Sequence, residues 1–282
     1  MKLVIASDIH LEKSNTIEPA LQDGSGKTLA LLGDIGNPQH ENYLNFIEKC
    51  VTQYKFERVF VLAGNHEFYG GEYYSTRRRI QWICSKYENV HFLDRTSMLF
   101  EEAPPVDQTA VRKIRILGCT LWSDIKEEHS SAITQSVNDY KFIAIRNENI
   151  AVEEEDVPLE SMHRITTQET TQFHKQDVTW LTSEIMEANE RGEVVVVLTH
   201  HAPLTRQTSN PMYKHSELNS AFSSDLTYLM DRNRNVAVWA FGHTHFNCSF
   251  TKKKTLVVSN QLGYHREKGN TKPFDPNFVI EI

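Results

Sequence analysis

The chain has no apolar run of about 18 residues and no apolar N-terminal leader. A helix-spanned membrane protein is therefore excluded, no membrane association is expected, and the expected location is the cytoplasm. Cysteine is scarce: Cys50, Cys84, Cys119 and Cys248 stand far apart, with no C-x-x-C pair. That rules out a disulfide framework and a structural zinc knuckle, and predicts reduced, mostly buried thiols. There is also no basic arm or face in a chain of net charge -7. Stable nucleic-acid binding is not expected, although a nucleotide remains open as a substrate. No repeat recurs at a period of roughly 20–50 residues, so a solenoid is excluded.

What remains is an ordinary globular composition, 39% hydrophobic and 24% charged over 282 residues. Near-continuous apolar runs occupy 3–7, 28–33, 58–64, 114–118, 194–199, 236–242, 255–259 and 278–282. Such runs predict strands buried on both faces. Between them lie helical stripes: Leu44, Ile47, Val51 and Tyr54; Tyr73, Ile80, Ile83 and Tyr87; Val178, Leu181 and Ile185; Leu218, Phe222, Leu226 and Leu229. Strands alternating with helices predict an α/β layered fold, read as a single domain over 1–282. Residues 124–165 break the pattern with polar clusters and the acid run VEEEDV (152–157). That segment reads as a solvated loop with a frayed helix, of the kind that often forms a lid.

The ends of the runs carry the chemistry. The stretch WAFGHTHFN (239–247) places His243 and His245 two apart. On a strand such a pair faces one way and reaches one common point. After the first run comes SDIH, with Asp8 and His10; after the second GDIGN, with Asp34; after the third GNHEFY, with Asn65, His66 and Glu67; and after VVVVL comes THHAP, with His200 and His201. Singly, each has an ordinary explanation as a cap, turn or satisfied histidine. Together they fall on the same end of five strands, where α/β sheets hold their ligands. Carboxylate, amide and imidazole donors without thiolate suit Mn, Fe, Zn or Co better than Ca. Seven such donors exceed the needs of one tetrahedral ion and fit two ions sharing a bridge, for which the short Asp34 carboxylate is the natural choice.

SDIH, GDIGN, GNHE, THHAP and GHTH, in that order over nearly the whole chain, resemble the calcineurin-like metallophosphoesterase superfamily. The resemblance implies a four-layer α-β-β-α sandwich of two mixed β-sheets flanked by helices, with a dimetal site at the C-terminal ends of the strands. It implies that Asp8, His10 and His245 hold one ion, that Asn65, His200 and His243 hold the other, and that Asp34 bridges them. The two ions would be divalent or of mixed valence, with Mn, Zn or Fe expected. His66 becomes the histidine facing the leaving group. CTLWSD (119–124) and NDY (138–140) resemble a prokaryote-like subgroup of the superfamily, which makes Trp122, Asp124, Asn138 and Tyr140 candidates near the substrate.

One position departs from the protein-phosphatase branch. Three residues after Asp34, where that branch has an aspartate paired with the leaving-group histidine, stands Asn37. An amide can orient His66 but cannot raise its pKa by charge, which argues against that branch. DGSGKT (23–28) lacks the leading glycine of a phosphate loop and precedes a strand, so it reads as a turn. The RRR run (77–79) reads as a solvated helix face, and Arg206, Lys214, His215 and Arg266 are weak phosphate-binding candidates when taken singly.

The implied activity is hydrolysis of a small phosphoester, monoester or diester. Pyrophosphatase action on nucleotide or lipid headgroups and a non-catalytic scaffold of the same fold are the alternatives. Composition is silent on oligomeric state.

Overall fold

The computed structural model describes residues 1–102, 111–148, 150–151, 157–232, 235–264 and 272–282. Most of the acid run (152–156) and Arg266 lie outside the described residues.

In chain order the first half forms β1 (Lys2–Ala6), β2 (Thr28–Leu32), α1 (Glu41–Thr52), β3 (Arg58–Leu62), α2 (Tyr73–Cys84), β4 (Val90–Phe92), β5 (Thr96–Glu102) and β6 (Arg112–Cys119). Next come α3 (Ser130–Ser136), α4 (Asp139–Phe142), β7 (Ala144–Arg146), β8 (Met162–Arg164), α5 (Thr167–Glu190) and β9 (Val194–Thr199). The chain ends with α6 (Thr227–Arg232), β10 (Val236–Ala240), β11 (Ser249–Lys252), β12 (Thr255–Val258) and β13 (Val279–Glu281). One sheet runs β13-β1-β2-β3-β4 and the other β11-β12-β10-β9-β6-β5. Both are mixed: the central strands are parallel, and β13, β11 and β5 are antiparallel at the edges.

The two-residue period of a strand sorts the apolar runs into layers. Leu3 and Ile5 of β1, Ala30 and Leu32 of β2, and Phe60 and Leu62 of β3 meet Ile116, Val196, Leu198 and Ala240 between the sheets. The alternate residues Val4, Leu29, Leu31, Val59 and Val61 face Phe46 and Ile47 of α1 and Ile80 and Ile83 of α2. On the far side, Val195, Val197 and Trp239 pack on Leu181 and Ile185 of α5 and on Leu229 and Met230 of α6. The four layers α-β-β-α follow directly. Each buried aliphatic side chain contributes about 1.5–3 kcal/mol of burial free energy, and β1, β2 and β3 are buried almost throughout.

Helix α5 begins with a capping box, Thr166 and Glu169, and ends before Gly192, whose φ of 67° only glycine adopts freely.

Two expectations are corrected. The stripe Leu218–Leu229 is not one helix: a 3₁₀ turn (Glu217–Ala221) and α6 are separated by an extended piece in which Ser224 N–H donates to the Ala202 carbonyl. Asp225 then accepts from the Thr227 N–H and hydroxyl, restarting the helix. The described part of 124–165 is more ordered than the solvated loop with a frayed helix expected of it. It forms α3, α4 and the β7-β8 ribbon, and Arg146 at the ribbon is buried on Glu72 at 2.7 Å.

Candidate metal centre

Five residues of the strand-end motifs adopt left-handed backbone: Asp8, His10 and Asp34 at φ 54°, His243 at 73° and His245 at 48°. For non-glycine residues this conformation is uncommon and costs of order 1–3 kcal/mol, so its concentration on the motif residues marks a functional site. The same observation overturns the strand argument for His243 and His245. Strand β10 stops at Ala240, and the turned backbone sends the two imidazoles to different places.

His245 joins Asp8 and His10 in one group, and His243 joins Asp34 and His200 in another, with ligand atoms in each group lying within 4.8 Å of one another. In the first, His245 Nε2 lies 3.0 Å from His10 Nε2 and 3.4 Å from an Asp8 oxygen. In the second, His200 Nε2 lies 3.1 Å from Asn65 Oδ1 and 3.4 Å from Asp34 Oδ1. Asp34 Oδ2 looks the other way, 3.9 Å from His10 Nε2. The structure thus brings together all seven sequence-derived ligand candidates.

These residues are donors that could hold metal ions, and hydrogen bonding turns them toward the clusters. His200 Nδ1 lies 2.7 Å from the Leu32 carbonyl and His10 Nδ1 lies 3.1 Å from Glu12 Oε1. Each Nδ1 is therefore a protonated donor, which leaves Nε2 as the nitrogen turned toward its cluster, able to ligate a metal that displaces its proton. His10 Nε2 and His245 Nε2 lie 3.0 Å apart, within reach of one shared proton or one cation. Asn65 is oriented in the same way. Its Nδ2 donates to Asp139 Oδ1 at 2.7 Å, which turns the amide oxygen toward His200.

Glycines let the motifs close in. A Cβ on Gly64 would overlap the Asp34 carboxylate, and one on Gly33 would meet His200 Nδ1 at 2.6 Å. The buried Glu67 carboxylate ties the turns together by accepting from the N–H groups of Asp34, Ile35 and Gly64 at 2.9, 2.8 and 2.7 Å.

Two imidazoles of the second group titrate in opposite directions: burial and the neighbouring His201 and His200 hold His243 well below the usual imidazole range. Burial pulls His200 down, but the Asp34 and Asp8 carboxylates outweigh it and hold the imidazole at about 9. Burial pushes Asp34 up, yet the surrounding imidazoles carry it well below the carboxylate range.

His66 sits beside the clusters with both ring nitrogens engaged. Nδ1 is 3.0 Å from Glu12 Oε1 and Nε2 is 3.1 Å from the Tyr264 hydroxyl. Burial lowers its pKa, but Asp34, Glu12 and Asp139 outweigh burial and raise it. Glu12 itself is pushed up by burial and carried down to about 2 by its bonds to His10 and His66. Asn37, expected to orient His66, is employed elsewhere: its Nδ2 donates to the Tyr69 carbonyl at 3.1 Å and its Oδ1 accepts from the Gln39 N–H. The charge absent at position 37 is supplied by Glu12, from the turn after β1.

A cavity of about 400 Å³ opens over the clusters. Its wall includes Asn65, His66, Asp139, Tyr213, Phe222 and Tyr264. Of the subgroup candidates, Asn138 lines it, whereas the Tyr140 hydroxyl pairs with Thr170 at 3.0 Å and the Asp124 N–H with Ser224 at 2.8 Å. Trp122 is buried with its ring centroid 5.3 Å from that of His201, behind the clusters. The backbone there is held by α5, where Asp177 accepts from the Leu121 N–H at 2.9 Å. Of the arginine run, Arg77 pairs with Asp94. Arg206 and Lys214 line a neighbouring cavity instead.

A sequence profile of calcineurin-like phosphoesterases matches residues 1–247. The chain belongs to the calcineurin-like phosphoesterase family. The family is dimetal-dependent, and its members are phosphoester hydrolases in general. An uncharacterised protein of Acanthamoeba polyphaga mimivirus is 29% identical over 265 residues, covering 90% of this chain and 83% of the relative. Among solved structures, phosphopantetheinyl hydrolase of Mycobacterium tuberculosis aligns with a TM-score of 0.65 at 14% identity, covering 99% of this chain and 95% of that one. GAP50, the anchor in the inner membrane complex of Plasmodium, aligns with a TM-score of 0.54 at 8% identity, covering 99% and 77%. At these identities the likeness is one of fold. Among the described residues, no helix is long and apolar enough to cross a membrane.

Proposed function

We propose that this protein hydrolyses small phosphoesters at a centre of two metal ions. The observation that carries the reading is the Asp34 carboxylate, with one oxygen toward each ligand group beside a cavity of ligand size. Asp8, His10 and His245 would hold one ion, Asn65, His200 and His243 the other, and Asp34 both. The mixed oxygen and nitrogen donors favour Mn, Zn or Fe. When bound, the pair neutralises phosphate oxygens and lowers the pKa of water so that it attacks at neutral pH.

The remaining work falls to the protein. His66, on the cavity wall with Nε2 3.1 Å from the Tyr264 hydroxyl, gives a proton to the departing oxygen, while Glu12 fixes the ring through Nδ1 and favours its charged form. Asp139 and Tyr69 hold the Asn65 amide, with the Tyr69 hydroxyl 2.6 Å from Asp139 Oδ1. Tyr213, Phe222 and Tyr264 give the cavity an aromatic wall, suited to the organic part of a small ester and too confined for a folded phosphoprotein. Four free, buried thiols support a reducing, cytoplasmic setting. The fold alone does not decide catalysis; the complete donor set favours an enzyme over a scaffold.

The test is an assay of the pure protein, loaded with Mn²⁺, against matched aryl phosphate monoesters and diesters. Turnover that disappears with a chelator and returns with metal is expected. Absence of turnover on both classes would overturn the reading.

A further inference from the structure

We propose that the cavity next to the metal centre is a second anion site, and that the substrate is a phosphoester bearing another anionic group, carboxylate or phosphate, at its far end. This rests on the metal centre being hydrolytic.

The second cavity measures about 500 Å³ and shares Ser209 with the first. Its wall also contains Asn247, two residues beyond His245, so the two cavities adjoin. Its charged residues are Arg206, Lys214 and Lys272, with no described Asp or Glu. In a chain of net charge -7 this is a local reversal of sign. The first cavity has the opposite character: no described Lys or Arg lines it. A substrate that seats its phosphate at the metal centre and crosses Ser209 therefore moves from a wall without described Lys or Arg to a cationic one.

Arg206 and Lys214 stand on an ordered loop. Thr208 donates its hydroxyl to the Leu204 carbonyl, the Asn210 side chain accepts from the Met212 N–H at 3.1 Å, and the Pro203 carbonyl accepts from the Leu226 N–H at 2.9 Å. Arg206 and Lys214 form no ion pair among the described residues. Asp225 is the carboxylate that feels Arg206, and its Oδ1 is held by the Thr227 N–H and hydroxyl. Below the rim, half-buried Phe246 and Phe250 give an apolar floor. Exposed cations over an apolar floor fit the end of an organic anion, with the charge at the rim and the carbon chain beneath.

The experiment uses the full chain loaded with Mn²⁺ and three probe series of increasing length: alkyl phosphates, α,ω-alkanediol bisphosphates and ω-carboxyalkyl phosphates. At one chain length the doubly anionic probes should show a KM roughly three- to tenfold below that of the alkyl phosphate, the scale of a few exposed ion pairs. The series with the larger gain says whether phosphate or carboxylate is the distal group. Added salt should erode the difference. Arg206→Gln with Lys214→Gln should abolish it, leaving kcat and KM for alkyl phosphates unchanged, because both side chains are exposed. Calorimetric binding of the same probes makes the comparison without turnover. A binding preference lost in the double variant supports the anion site even if hydrolysis fails, and then only the hydrolytic reading falls. Equal affinity for singly and doubly anionic probes at every length, or a preference that survives the double substitution, overturns the proposal.

Discussion

Glu12 and His66 come from turns after different strands, and their side chains meet at 3.0 Å between Oε1 and Nδ1. The same Glu12 oxygen lies 3.1 Å from His10 Nδ1, so one carboxylate orients both a metal-ligand candidate and the proton-donor candidate. Glu12→Gln keeps the shape and removes the charge. Because Glu12 is one of the groups that raise the His66 pKa, the variant should lose its protonated donor at lower pH. The alkaline limb of the pH–rate profile for alkyl phosphates should move downward. An unmoved limb would show that Glu12 does not govern His66.

His66→Ala isolates the proton transfer itself. General acid assistance is typically worth roughly 10²–10⁴-fold, and only where the leaving group needs a proton. Alkyl phosphates should slow by about that factor, nitrophenyl phosphates much less, and metal content should stay unchanged. Equal slowing of both substrates would assign His66 to phosphate orientation instead.

Asp139 is the partner that sets the Asn65 amide, at 2.7 Å. Residues that orient metal ligands are typically worth roughly 10–100-fold in metal affinity. Asp139→Ala should weaken one of two metal-binding steps by about that amount in a calorimetric titration and leave the other near its original value. Two unchanged steps would remove Asp139 from the account.

Much of this was legible in the sequence, and the exceptions share a cause. The strands came through because burial on both faces makes continuous apolar runs, and the seven ligand candidates because each follows such a run. Strands β4, β5, β7, β8 and β11 did not, since they are too short or too exposed to leave such a run. Glu12, Asp139 and Tyr264 were missed as partners because they act across 54, 74 and 198 residues of chain. Nothing local announces such pairings. Asp139 lies between two flagged residues, Asn138 and Tyr140, so the signal was in the right stretch and one position off. The reverse error befell Asn37, whose role came from a motif position while its amide bonds elsewhere.

Glu67 tests the scaffold of the site. Its carboxylate serves three buried backbone N–H groups, and an unsatisfied buried donor costs about 1–3 kcal/mol. Glu67→Ala should lower unfolding free energy by on the order of 3–5 kcal/mol in a denaturant titration of the metal-free protein. A change below about 1 kcal/mol would mean that water or a shifted backbone replaces those bonds.

Metal loading should release protons. Without metal, His200 holds its proton up to about 9, because Asp34 and Asp8 outweigh burial. A cation taking Nε2 near neutral pH must expel that proton, so affinity should climb as pH rises toward that value. Calorimetry in buffers of different ionisation enthalpy should find about one or more protons released per chain. Loading with no proton release would contradict His200 as a ligand.

The central claim is that Asp34 joins two ions, and counting them tests it most directly. Elemental analysis of the full chain, loaded with Mn²⁺ or Zn²⁺ and dialysed, should approach about two ions per chain. Saturation at one ion per chain would contradict the two ligand groups and the bridging role of Asp34.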